Sequence, residues 1–192
     1  MGTGQWFVSP EGTRWFFDAG AHSLDLVHTC GLGLDEPEWE RLGTRAELGR
    51  WLAARFGSTN RATTKDLTSA YELRAAVTRA ALLIAAGRLP TAADVDTINA
   101  YAARPDIAPR LAGGLTPSPA ATAAAAISTL ARDAVAVLSR PERVRECGAG
   151  DCPLVFYDDS RSGTRRWCSM SRCGNRAKVR SHRHRNRPDE NR

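Results

Sequence analysis

Apolar positions alternate at the start of the chain and then settle into helical spacing. QWFVSP (5–10) and TRWFFD (13–18) are aromatic, β-branched runs on either side of Glu11-Gly12, a pair suited to a tight turn, and they predict a small N-terminal β-hairpin. In SLDLVHTCGLG (23–33), Leu24, Val27 and His28 fall at helical spacing, and Gly31 and Gly33 are residues at which a left-handed backbone can end a short helix. Thr44 and Glu47 read as a capping box, in which hydroxyl and carboxylate each satisfy an NH that the first turn leaves unpaired. Leu48, Trp51, Leu52 and Phe56 then form an apolar stripe that stops before Gly57.

The longest periodic segment, TTKDLTSAYELRAAVTRAALLIAAG (63–87), puts Leu67, Ala70, Leu73 or Arg74, Val77, Ala81 and Ile84 on one side and ends at Gly87. Thr91 caps TAADVDTINAYAA (91–103), with Val95, Ile98 and Tyr101 as the expected buried positions. Pro105, Pro109, Gly113, Gly114, Pro117 and Pro119 mark a long connection with room for one short strand pair around RLAGGLTP (110–117). A last large helix is expected from about Pro119 to Leu138, with Ala123, Ile127, Leu130, Ala134 and Val137 or Leu138 inward and Pro141 ending it. These stripes can bury against one another, so residues 1–140 read as a mostly helical domain without internal repeats.

Charge changes this picture more than composition does. The 192 residues suffice for one compact domain plus a small appendage. Residues 1–140 hold 14 basic and 14 acidic side chains, so the formal charge of +6 belongs to the last 52 residues. Between Arg161 and Arg187 there are ten Arg or Lys and no carboxylate, a block that attracts a polyanion; the bland alternative is a solvated basic tail. The N-terminus has no basic stretch followed by an apolar core of signal-peptide length, which points to a cytoplasmic protein. Arg132 and Asp133 interrupt the Ala-rich run at 120–138, which therefore reads as strong helix propensity and not as a membrane span. Five cysteines in a reducing compartment suggest metal ligation or catalysis before disulfides.

Cys147, Cys152, Cys168 and Cys173 form two C-x4-C pairs separated by fifteen residues. Two short-loop pairs joined by a spacer long enough for a hairpin are what a closed tetrahedral zinc site requires, and they predict one structural Zn²⁺. A redox dithiol or an iron–sulfur cluster fits these spacings less well. LVFY (154–157) reads as a strand, DDSRSG (158–163) as a turn and TRRWC (164–168) as the return strand. From Ser169 the pattern becomes helical, with Met170, Cys173 and Ala177 on one stripe, so that a knuckle, a hairpin and a ligand-bearing helix make a treble-clef-like module. A module of this size has too little core to stand without its metal.

On that helix Arg176, Arg180, Arg183 and Arg187 share one face, flanked by Lys178, His182 and Arg185. An arginine-faced helix suits the DNA major groove, where Arg pairs with guanine and Asn with adenine. Asn175 and Arg176 are the candidates for base contacts, and Arg165, Arg166, Arg172, Lys178, Arg180 and Arg183 for phosphate contacts. Alternatively, Asn175 caps or braces the zinc loop and Arg176 pairs with Asp158 or Asp159. His182 and His184 read as helix-surface residues, since four cysteines already close the site. Asp25, His28 and Cys30 in LDLVHTC might suggest a nucleophile with its base, but the Cys30 thiol and the His28 imidazole, two positions apart on a helix, point in different directions, and a buried free cysteine is the commoner case, so no catalytic role is assigned.

The segment 145–183 resembles the CGNR zinc finger, whose naming tetrapeptide stands at Cys173 to Arg176, with DDSR at 158–161 and RRWCSM at 165–170. FFDAGAHSLDLVHT (16–29) is similar to the opening of the ABATE domain that usually precedes this finger, and TRAELGRWL, YELRAAV and INAYAA fit the same domain. The resemblance covers nearly the whole chain and implies a stress-induced transcription regulator whose positively charged finger binds DNA. Leu26 and His28 stand where that domain usually has Phe and Asn.

Together these readings describe a mainly α protein: a helical domain with a small N-terminal β-hairpin (1–140), a treble-clef-like zinc module of hairpin plus helix (141–187) and a flexible tail (188–192). The expected function is regulation of transcription through double-stranded DNA, with RNA binding or zinc-dependent protein docking as alternatives. No enzymatic activity and no membrane association are expected. A small-molecule or protein effector at the helical domain and a homodimer are consistent with the pattern.

Overall fold

The structure is a computed structural model describing residues 2–8, 12, 14–30, 40–57, 61–111, 114–115 and 119–185, the side chains of 183–185 excepted. Strands β1 (Gln5–Val8) and β2 (Arg14–Phe17) pair antiparallel, Gln5 opposite Phe17 and Val8 opposite Arg14, as the two aromatic runs predict. Side chains alternate across the ribbon. Phe7, Trp15 and Phe17 are buried, whereas Trp6, Val8 and Phe16 face solvent. Of the predicted turn only Gly12 is described; its φ of 81° is one that glycine adopts at no steric cost, and Glu11 lies outside the described residues.

Helix α1 (His22–Val27) runs into a tight turn at His28–Cys30, and Gly31 and Gly33 lie outside the described residues. Thr44 caps α2 (Arg45–Phe56) by accepting from the Glu47 backbone N–H at 3.2 Å, but the Glu47 carboxylate receives the Thr44 hydroxyl at 2.9 Å. The fully reciprocal box forms at α3 (Thr64–Ala85), where Asp66 accepts from the Thr63 backbone N–H at 2.8 Å. Gly57 ends α2 at φ 81°. Helix α4 (Ala92–Ala102) follows, and α5 (Ala123–Leu138) lies against both α3 and α4.

The stripes read from the sequence meet in one core: Leu48 and Leu52 from α2, Leu73, Val77 and Ala81 from α3, Ile98 and Tyr101 from α4, and Ile127, Leu130 and Ala134 from α5 are buried. Alanines on α3 and α5 let those backbones approach closely. Leu73, not Arg74, takes the inward position, because Arg74 is drawn to the Glu40 carboxylate at 2.6 and 2.9 Å.

Other expectations for the helical part change. Val95 is 39% exposed despite its place on the apolar stripe of α4. Helix α5 starts at Ala123 and not near Pro119, since the Thr122 hydroxyl caps it by accepting from the Ala125 N–H at 3.0 Å. Around RLAGGLTP, Arg110, Leu111, Gly114 and Leu115 lie in no strand, and residues 112, 113, 116 and 117 lie outside the described residues.

After α5, a turn at Pro141–Arg143 leads into β3 (Val144–Glu146), which pairs antiparallel with β4 (Val155–Tyr157), Val144 opposite Tyr157 and Glu146 opposite Val155. The predicted return strand TRRWC does not form. One of its backbone donors is taken by a side chain, Arg165 N–H donating to Asp158 at 2.8 Å, and the partner of LVFY comes from upstream. A π-helical turn (Met170–Gly174) then opens helix α6 (Asn175–Arg185).

The zinc-module hairpin is packed on the helical part: β3 and β4 touch α3, β4 touches α1, and Leu154 and Phe156 belong to the same core as Leu73. Backbone bonds join them too, the Tyr157 N–H donating to the Ala19 carbonyl at 2.8 Å. Among the described residues no helix is long and apolar enough to cross a membrane.

Candidate metal centre

The β3–β4 hairpin closes on the loop that carries Cys147 and Cys152, with Cys147 N–H donating to the Leu154 carbonyl at 2.8 Å and Cys152 N–H to Ala149 at 3.0 Å. The second pair comes from the approach to α6. Gly174 N–H bonds to the Ser169 carbonyl at 3.0 Å, five residues back, and this wide turn carries Cys173. The four sulfurs all lie within 4.8 Å of one another and all four cysteines are buried.

The Cys152–Cys168 sulfur distance is 3.8 Å and Cys168–Cys173 is 3.5 Å. A tetrahedral zinc thiolate site with bonds of about 2.3 Å has sulfur–sulfur edges of about 3.8 Å, so the thiols fit that ion. Hydrogen bonding within the group points the same way: Cys168 donating to Cys152 holds the Cys152 thiol down to about 5 and pushes Cys168 far up. Four crowded thiols thus share protons that a dication would displace. When bound, zinc would supply structural cross-linking of the two pairs.

The surroundings suit a site whose ion and four thiolates sum to minus two. Cys168 N–H lies 3.4 Å from Cys147 Sγ, and Arg176 Nη2 donates to Cys173 Sγ at 3.2 Å. That same guanidinium pairs with Asp151 at 3.1 Å, and Arg180 reaches Asp151 at 3.4 Å. Arg176 is therefore engaged with the metal loop through Asp151, not through Asp158 or Asp159. Asn175 is exposed and donates to the Ser171 carbonyl at 3.4 Å, in the π-helical turn that precedes α6.

Asp158, in the DDSR turn, is fully buried. It accepts from Ser160 Oγ at 2.5 Å, Ser160 N–H at 3.1 Å and Arg165 N–H at 2.8 Å. Burial pushes its carboxyl up, but these bonds and Arg145 outweigh it and hold the pKa below the ordinary value. Asp158 is the anchor of the turn, a role only the buried position reveals.

The predicted phosphate-contacting cations divide. Arg165 turns inward: it lies over Phe156 at 4.2 Å and donates to the carbonyls of Asp18 at 2.6 Å, Cys168 at 2.6 Å and Trp167 at 3.1 Å. Its guanidinium is a structural clamp between the two parts of the chain. Arg172 lies over Trp15 at 4.5 Å, tying the start of α6 to the N-terminal ribbon. Arg166, Lys178 and Arg180 are exposed, Arg166 over Trp167 at 4.7 Å. Together Arg172, Asn175, Arg176, Val179 and Arg180 line one shallow groove. The side chains of Arg183, His184 and Arg185, and the whole of Arg187, lie outside the described residues; His182 is exposed.

In the LDLVHTC segment, Asp25 accepts from the Gly4 N–H at 2.8 Å, and burial pushes its carboxyl up to about 6. His28 bonds to the Val155 carbonyl, and Cys30 donates to the Val27 carbonyl at 3.5 Å. All three side chains are buried.

Among known proteins, the family model described as "CGNR zinc finger" matches residues 143–186, and the one described as "Putative stress-induced transcription regulator", ABATE, matches residues 20–141. No curated protein matches the chain. The finger match and the sulfur geometry agree on a four-cysteine site for a single zinc ion.

Proposed function

We propose that this chain, which belongs to the ABATE family and carries a CGNR zinc finger, regulates transcription in the cytoplasm by binding double-stranded DNA through α6. The observation that carries this reading is the exposed face of α6. Arg172, Asn175 and Arg180 line its groove beside Lys178, with Arg166 exposed on the approach to the helix, in a segment free of carboxylates from 161 to 187. Eleven residues of helix span about 16 Å, enough to lie in a major groove.

Arg166, Arg172, Lys178, Arg180 and Arg183 are taken as phosphate contacts, with Asn175 reading base edges. Arg165 and Arg176 position this surface, since both are bonded to the zinc loop or to the helical part. The chain acts by binding and not by catalysis in this reading: a four-thiolate zinc has no open coordination position, and His28 is buried as a hydrogen-bonded neutral ring.

Salt titration of random duplex binding tests the proposal. Neutralising five phosphates gives a slope of log affinity against log salt of about −4.5. Affinity independent of salt would sink the phosphate contacts. Preference for structured RNA over duplex DNA in competition would move the function to RNA, and no complex at low salt would favour protein docking.

A further inference from the structure

Val95 is an apolar residue on an apolar stripe that found no partner, and it stands at the edge of a cavity. Between α3, α4 and α5 a space of about 240 Å³ opens to solvent, walled by Ile84, Val95, Ile98 and Val135. Val95 and Val135 remain 39% and 38% exposed beside it. Apolar residues left exposed around a concavity mark a place where something apolar belongs. The space exceeds the ~150 Å³ apolar cavity that holds a benzene, and so suits a body of roughly ten non-hydrogen atoms.

The rim supplies the second half of the recognition. Arg88 lines the same cavity, is exposed, and makes no ion pair with any described residue. We propose that this cavity is a binding site for a small amphiphilic anion, its apolar body between α3, α4 and α5 and its carboxylate on Arg88. A second copy of the chain is a poorer occupant. A stable protein interface takes about 20–30 residues a side, and Asp96, Asn99, Ser139, Arg140 and Glu142 make the surrounding surface polar.

At its far end the cavity reaches Pro141, the first residue of the turn that leads into β3. That turn is anchored in the zinc module, where Arg143 donates to the carbonyls of Asp158 at 3.1 Å and Ser160 at 2.7 Å. The site therefore adjoins the connection between the two parts of the chain. Its existence does not depend on nucleic-acid binding, and failure of the DNA reading would leave it standing.

Titration calorimetry of the zinc-loaded full chain with octanoate and, separately, octanol tests it. Saturable binding of octanoate at one site per chain is expected. Arg88→Glu, on an exposed residue, should weaken octanoate roughly tenfold or more while leaving octanol nearly unchanged. Val135→Trp should fill the cavity and abolish both, and a wild-type melting curve for this variant would confirm that it folds; Val95→Phe provides a second block from the opposite wall. No saturable octanoate binding, binding that both blocking variants leave intact, or equal effects of Arg88→Glu on acid and alcohol would overturn the proposal. So would a dimer in light scattering that Val135→Trp dissociates, which would make the cavity a subunit interface.

Discussion

His28 Nε2 lies 2.7 Å from the carbonyl oxygen of Val155, so a ring on the helical part is hydrogen-bonded to a strand of the zinc hairpin. A carbonyl only accepts, which assigns the proton to Nε2. Burial pushes the pKa of this ring down to about 4. The unfolded chain takes up the proton near 6.5 and the folded chain only near 4, so the contribution is complete above pH 6.5 and is lost as pH falls through 4. Urea unfolding across this range should show wild type losing more stability towards acid than His28→Gln does. Equal pH slopes would show that the ring is not buried in its neutral form.

Asp25 has the opposite sign. Its folded pKa of about 6 lies above the ordinary 3.8, so the folded state binds the extra proton and stability falls as pH rises from 4 to 6. Asp25→Asn should remove that slope, and its stability relative to wild type should rise by about 2–3 kcal/mol across the window. A constant difference at every pH would show that the carboxyl titrates as in water.

Gly20 adopts φ 74°, and a Cβ there would run into the Tyr157 carbonyl oxygen, which is backbone and cannot move aside. Gly20→Ala should cost about 2–4 kcal/mol through strain and loss of the seam between α1 and β4. Thermal melting checks this, and a change within about 0.5 kcal/mol would mean that the close approach does not persist in solution.

Removing zinc should destabilise more than the finger. The four cysteines belong to the core that also contains Leu73 and Ile127, so a chelator should lower the midpoint of the helical circular-dichroism transition as a whole. Two separate transitions, with the larger one unmoved by chelation, would show that the packed parts are not energetically coupled.

Lys178 and Arg165 should separate binding from stability. Lys178→Ala should leave melting unchanged and reduce the salt slope of duplex binding by about 1. Arg165→Ala strips hydrogen bonds from three backbone carbonyls and should cost about 2–3 kcal/mol of stability. The reverse pattern would exchange their roles.

Much of this architecture was legible along the chain because local rules act locally. Helical stripes, threonine caps and the two cysteine pairs depend on spacing alone, and the long helices and the four thiols stand where their spacing predicts. Other features depend on what lies across space. Val144 is the one buried residue of a three-residue strand, too short a signal to compete with TRRWC as the partner of LVFY, and the choice went to the strand that leaves Asp158 free to bind Arg165 N–H. Arg165 belongs to the same basic block as Lys178, yet three carbonyls and the Phe156 ring hold it inside, because only the folded chain brings those acceptors together. The sequence alone determined the helices, the ligand set and the sign of the charge; tertiary packing decided which cations remain outside and made the helices and the finger share one core, since burial and acceptor geometry exist only once distant segments meet.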